Sequence, residues 1–187
     1  PGCQILVAKD GKIVFEKSFG YQGYDKLVPI TSNSIYDIAS ITKVAATTIS
    51  IMKLQEEGKI NVEEPLSKYL DELSCTNKEY LLIRDIMAHK AGLRSWIPFY
   101  EKTMMLVNNR SFPSPEFYSN KRSKIFSIKV VDSLYLRKNY RDEIFDEIVK
   151  SELPNIGQYR YSDLGFYLLS EAITRITGTT IDKYAYK

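Results

Sequence analysis

The sequence predicts an α+β chain in which an N-terminal β-hairpin leads into a mostly helical region. Three observations carry this. Two β-branched runs, residues 2–9 and 12–20, flank Asp10-Gly11, a strong signal for a two-residue hairpin turn. Apolar residues then recur at helical spacing from Ile41 through Val44, Ala45, Thr48, Ile51 and Met52, and Gly58 stands where such a helix would stop. A third periodic segment runs from Ser162 to Thr177, with Leu164, Phe166, Leu168, Leu169, Ala172 and Ile173 on its apolar side and Gly178 closing it.

The elements between these follow in order. A Gly/Pro/Asp-rich loop fills residues 20–34, and residues 35–39 form a short apolar lead into Ser40. After Glu64-Pro65, the residues Leu66, Tyr69, Leu70 and Leu73 predict a short helix. Leu82, Ile83, Ile86 and Met87 predict another, ending at Ala91-Gly92. Residues 95–127, rich in Pro, Ser and aromatics, read as irregular. Residues 128–150 read as helix despite several β-branched positions. A lone two-stranded hairpin is not independently stable, so residues 2–20 are expected to pack on helices or to pair with strands outside this sequence.

Composition sets bounds. The chain has 187 residues, 44% hydrophobic and 26% charged, enough for a sizeable core. A net charge of +3 gives no argument for nucleic acid. No apolar run is long enough to span a bilayer. Cys3 and Cys75 make no C-x-x-C, and His89 is the single histidine, so a His/Cys zinc site is not expected, nor any other cofactor. His89 falls near a helix C-terminus and reads as structural. Residues 119–141 carry seven cations, Lys121, Arg122, Lys124, Lys129, Arg137, Lys138 and Arg141, against Asp132, which reads as a solvated helix face. Trp96, Phe99, Tyr100 and Phe112 are candidates to line a substrate cleft. The chain opens at Pro1 on a strand and ends inside a starting helix, so both ends are expected to be cut.

The chemistry begins with S-x-x-K, two side chains one turn apart. A serine hydroxyl needs a nearby base, and a lysine serves when its pKa falls. The motif occurs twice, as Ser40/Lys43 and Ser50/Lys53. Ser50 lies mid-helix, whereas Ser40 sits where an apolar segment meets a helix start, next to the partial positive charge of that terminus. Ser40 is therefore the candidate nucleophile; a plain N-cap is the competing role. Downstream stands Tyr161-Ser162-Asp163, opening the last long helix.

With Tyr161-Ser162-Asp163 added to Ile35-Tyr36-Asp37-Ile38-Ala39-Ser40-Ile41-Thr42-Lys43 and to Ile83-Arg84-Asp85-Ile86-Met87-Ala88-His89-Lys90-Ala91-Gly92-Leu93, the chain resembles the serine β-lactamase and penicillin-binding-protein family: class C β-lactamases, D-Ala-D-Ala carboxypeptidases and related esterases. The resemblance covers nearly the whole chain. It implies that Ser40 is acylated, that Lys43 holds or takes its proton, and that Tyr161 acts with Lys43 as general base. Asp163 stands where many relatives carry Asn; ionised, it donates no hydrogen bond, which favours pairing with Lys43 and an esterase or peptidase over a resistance β-lactamase. Tyr118-Ser119-Asn120 matches the family's Y-x-N letters better, but a Lys-Arg-Ser-Lys run follows it rather than an amphipathic helix.

No K-T-G triad follows Tyr161. The resemblance thus implies a partial β-lactamase/transpeptidase-like fold whose closing strands are missing. Residues 1–60 would hold the hairpin and nucleophile helix, 61–160 a helical subdomain, and 161–187 the second-motif helix. A missing C-terminal half, or a second copy, would complete the sheet. The implied partner is a small-molecule or peptidoglycan-derived substrate, met in the periplasm or elsewhere outside the cytoplasm. The alternatives are a catalytically silent module fused to a family-3 glycosidase, for which no convincing carboxylate pair exists here, and a purely structural helical domain.

Overall fold

The computed structural model describes residues 2–154 and 156–186. These residues divide into one unit ending at Ala39 and a second beginning at Ser40.

In the first unit, β1 (Cys3–Lys9) and β2 (Lys12–Phe19) pair antiparallel around Asp10 (φ 50°) and Gly11 (φ 75°), the two left-handed positions that a type I′ turn requires. A bulge lies between Val7 and Ala8. No third strand joins this pair among the described residues. Apolar residues of both strands, Ile5, Leu6, Val7, Ile13, Val14 and Phe15, are 42–63% exposed. The loop after β2 folds back on itself through Ile30 N–H to Gly20 C=O (3.0 Å) and Gln22 N–H to Val28 C=O (2.8 Å).

The second unit has a helical core. Lys43–Thr48 is wound as a π-helical stretch and continues as α1 (Ile49–Glu56), which stops before Gly58 (φ 67°). Two 3₁₀ turns, Leu66–Lys68 and Asp71–Leu73, take the place of the predicted short helix and bury Leu66 and Leu73. Helix α2 (Ile83–Met87) ends earlier than its sequence suggests, because His89 adopts a left-handed conformation (φ 57°) that turns the chain. Helices α3 (Tyr140–Lys150), α4 (Leu164–Thr177) and α5 (Ile181–Ala185) follow. Gly178 (φ 67°) closes α4. Ile51 and Leu54 of α1, Ile83 and Ile86 of α2, Ile148 of α3 and Leu164, Leu168, Leu169, Ala172 and Ile173 of α4 share one buried cluster. The side chain of Lys78 is also fully buried; its ammonium caps the end of α3 through the carbonyls of Val149 (3.0 Å) and Ser151 and is held by Asn77 Oδ1 (2.9 Å).

Two sequence readings are corrected here. Residues 95–127 are not wholly irregular. They contain β3 (Met104–Val107) and β4 (Arg110–Pro113), a hairpin turning through Asn108 (φ 50°) and Asn109 (φ 59°), and the short β5 (Tyr118–Ser119). Residues 128–150 are helical only from Tyr140. Before it, β6 (Phe126–Val131) and β7 (Leu134–Arg137) form a sheet in the order β5-β7-β6. The β-branched residues Ile128, Val130 and Val131 suit a pleated strand, and Ser133 (φ 58°) makes the turn. The basic run therefore lies on strands and their flanks. Within it, Lys129 pairs with Asp132 (2.6 Å), Arg137 with Glu143 (2.7 Å), and Arg141 with Glu171 (2.9 Å).

Gly165, in the first turn of α4, marks where α2 and the segment after it press closest. A Cβ there would lie 2.5 Å from Ile86 Cγ2 and 3.1 Å from Leu93 Cδ1. Gly165→Ala is expected to destabilise the protein by about 1–3 kcal/mol through overpacking, read as a lowered midpoint in denaturant unfolding of the full-length gene product.

Candidate active site

Ser40 and Lys43 meet at the start of the helical stretch that continues as α1. Ala39 takes a left-handed conformation (φ 44°), and Lys43 N–H bonds back to Ser40 C=O (3.1 Å), so the chain turns sharply just before the helix. The turn leaves Ser40 exposed and brings Lys43 Nζ to 3.0 Å from Ser40 Oγ. The second S-x-x-K assembles nothing comparable. Ser50 is buried, its hydroxyl has no hydrogen-bond partner among the described residues, and Lys53 bonds to Glu56 (2.8 Å) on the surface.

Tyr161, Ser162 and Asp163 arrive from the other end of the chain. The segment before α4 is laced to residues 89–95. Gly157 N–H donates to Lys90 C=O (3.0 Å), Arg160 N–H to His89 C=O (2.8 Å), and Asp163 N–H to Ser95 C=O (2.8 Å). The buried Ser162 hydroxyl donates to Arg94 C=O (2.6 Å) and accepts from Leu164 N–H (3.2 Å), which caps α4. Asp163, the N-cap residue by position, has no side-chain capping bond. Its Oδ1 is buried and lies 2.6 Å from Lys43 Nζ, an ion pair joining the starts of the two helices.

The structure thus brings Ser40, Lys43, Tyr161 and Asp163 together. Lys43 Nζ lies 5.0 Å from the centroid of the Tyr161 ring and 5.7 Å from that of Phe166. Burial pulls the Lys43 pKa down, but hydrogen bonds to Asp163 and Tyr161 and the Asp163 charge outweigh it and hold the ammonium above its ordinary 10.5. Hydrogen bonding from Ser40 first, then from Lys43, draws Tyr161 below its ordinary 10. The Lys43 charge therefore favours the ionised form of Tyr161 over the neutral one. Tyr118, the competing tyrosine, is half-buried in β5, with its hydroxyl 3.0 Å from Thr103 Oγ1.

Two further features adjoin the cluster. His89, read from sequence as structural, packs its ring on Tyr161 at 4.4 Å between centroids, and its Nδ1 accepts Ser162 N–H (3.1 Å). Its identity as the single histidine was the available signal; Ser162, whose N–H it accepts, lies 73 positions away in sequence. Trp96, Phe99 and Tyr100 line a cavity of about 710 Å³ with Tyr140, Phe145 and Tyr167, whereas Phe112 borders a separate groove.

The family model for beta-lactamase matches residues 1–187, and the chain belongs to that family. It is 31% identical, over 98% of its own length and 40% of the relative's, to a protein of Salmonella agona (strain SL483) that carries the provisional name D-alanyl-D-alanine carboxypeptidase. It is also similar to Protein flp of Staphylococcus aureus, at 26% identity over 98% of this chain and 32% of that protein. The chain spans about a third to two fifths of these curated relatives. Among solved structures, its fold resembles the octameric penicillin-binding protein homologue from Pyrococcus abyssi (TM-score 0.68, 24% identity, 100% of this chain and 37% of that one). It likewise resembles a class C beta lactamase from Rhodobacter sphaeroides (TM-score 0.62, 17% identity, 100% and 42%). The α+β, partial β-lactamase-like architecture read from the sequence is the one these structures share.

Asp163→Asn is expected to lower the Lys43 pKa, because the variant keeps the side-chain shape and removes the charge that holds the ammonium. NMR titration of the lysine ε-methylenes in wild type and variant checks this; an unchanged Lys43 midpoint would show that the carboxylate is not what holds it.

Proposed function

We propose that this chain carries the nucleophilic half of a serine hydrolase site that works through an acyl-enzyme on an ester, amide or β-lactam. One observation carries the reading: Ser40 Oγ already accepts a hydrogen bond from the Lys43 ammonium, so the serine's own proton is left to be donated, and Tyr161 is the neighbour whose ionised form that proton favours. Ser40 transfers its proton to the Tyr161 phenolate as Oγ bonds to the substrate's carbonyl carbon. The leaving group departs with that proton, and an ester to Ser40 remains. Water then repeats the sequence with Tyr161 as base and releases the acid. Lys43 supplies fixed positive charge throughout, and Asp163 keeps it ionised.

The aromatic cavity lined by Trp96 and Tyr167 supports an acyl group with apolar substituents. Ser95, just before Trp96, holds the Asp163 amide, and Tyr167 follows Asp163 by one helical turn. The names of relatives support a peptidoglycan-derived substrate met outside the cytoplasm. The exposed faces of β1 and β2 support completion of the sheet by further strands of the same protein.

Incubating the full-length gene product with a fluorophosphonate or a fluorescent penicillin, then mapping the adduct, tests the reading. Ser40 is expected to be labelled, Ser40→Ala to take no label, and Tyr161→Phe to acylate about 100-fold more slowly or worse. The wild-type rate should rise with pH toward a limit below 10, as Tyr161 ionises. A wild type that takes no adduct, or an adduct that survives Ser40→Ala, overturns it.

A further inference from the structure

We propose that His89 is a positioning residue for Tyr161, a clamp that works only while its imidazole is neutral. This rests on the function proposed above.

The clamp has three contacts with the tyrosine segment. His89 C=O accepts Arg160 N–H (2.8 Å), and His89 Nδ1 accepts Ser162 N–H (3.1 Å), so the residues on either side of Tyr161 are fixed by the same histidine. The ring itself lies against the Tyr161 ring, with centroids 4.4 Å apart and planes inclined by 35°. Phe166, at 5.3 Å, and the edge-on ring of Tyr159, at 6.1 Å, complete the stack. The left-handed turn at His89 (φ 57°) lets backbone and ring serve one segment together. A residue with an ordinary helical φ at this position would continue α2 past the point where the two segments meet.

A bond accepted at Nδ1 requires that Nδ1 carry no proton, so the ring is the neutral tautomer protonated at Nε2. Protonation would place an N–H against the Ser162 N–H and break the clamp. The surroundings oppose it: burial comes first, then the charge of Lys43 from the nucleophile helix, against Asp163 at the start of α4 and the bond from Ser162. Tyr159 and Tyr161 are the other titratable groups on the ring. The balance holds His89 below its ordinary 6.5. The active, neutral form therefore prevails above that pKa, and acylation fails as pH falls through it.

The test is the pH profile of Ser40 acylation between pH 4.5 and 8.5, measured in the full-length gene product with the probes named above. His89→Asn is the informative variant. Asparagine tolerates a left-handed backbone, and its Oδ1 accepts the Ser162 N–H at any pH. It should acylate within about tenfold of wild type at neutral pH and lose the additional, steeper fall at acid pH that His89 protonation causes, keeping the limb set by Tyr161 ionisation. His89→Ala, which loses both acceptor and stack, should acylate about ten- to a hundredfold more slowly at neutral pH. ¹⁵N NMR of histidine-labelled protein gives a readout independent of rate: the resonance absent from His89→Asn should report an unprotonated Nδ1 at neutral pH. The same steep fall at acid pH in His89→Asn as in wild type, wild-type acylation in His89→Ala, or a protonated Nδ1 at neutral pH overturns the clamp while Ser40 labelling of the wild type leaves the hydrolase reading intact. Absence of that labelling removes both.

Discussion

The ion pair between Lys43 and Asp163 is the contact on which the site depends. It joins the first turn of the helical stretch that leads into α1 to the start of α4, two segments separated by more than a hundred residues of chain. An ammonium has three donors to direct. Here one goes to Asp163 and one to Ser40, and Tyr161 lies within reach of the same group. Removing the carboxylate would leave a lysine that is only 14% exposed to find other partners, and Ser40 and Tyr161 would lose the cation that orders them. A pair this short, with one partner largely out of water, ties geometry to protonation state. The helices must hold their distance to keep the Lys43 pKa above its ordinary value, and the Lys43 charge helps Tyr161 to ionise below its usual range.

That distance is set by packing and by backbone lacing together. Ile51 and Leu54 carry α1 into the same buried cluster as Leu164, Leu168 and Ala172 of α4. Residues 157–163 have no regular strand or helix of their own to satisfy their amides. Their bonds to residues 89–95 do this instead, and in doing so orient Tyr161. Gly165 allows α2 and Leu93 to approach closely enough for the lacing to form. The short α2 and its left-handed exit at His89 thus belong to the site as much as to the core.

Much of this was legible in the sequence where the signal is local. Asp10-Gly11 announced its hairpin, because a type I′ turn demands residues that tolerate positive φ. Ser40 could be preferred to Ser50 because it stands at a helix start rather than mid-helix; in the structure Ser50 is buried and Ser40 exposed. The strands at residues 126–137 were missed because Ile128, Val130 and Leu134 fit either period over so short a stretch, and because Ser133 is a weak turn signal. Asn108-Asn109, a better one, was lost in a segment whose Pro and Ser content suggested loop. The role of His89 was illegible for a different reason. Nothing local to it distinguishes a capping histidine from one whose acceptor nitrogen is aimed at an amide 73 residues on.

The carboxylate at position 163 also shapes what chemistry the site favours. An ionised Asp163 spends its charge on Lys43 and offers a substrate no N–H. An amide side chain there could bond Lys43 through its oxygen and still donate to a carbonyl on the substrate's acyl portion. The carboxylate exchanges that recognition for a more firmly ionised lysine, while its own charge opposes ionisation of Tyr161. The exchange suits a substrate held by other means, such as an apolar group lodged among Trp96, Tyr140 and Tyr167, and it burdens one that depends on an acyl amide for its grip. A stabilised phenolate is a weaker base, so the same Lys43 charge that draws the Tyr161 pKa down limits its proton affinity. In the mechanism proposed above, substrates with good leaving groups, esters and strained amides before ordinary peptides, are those for which that compromise costs least.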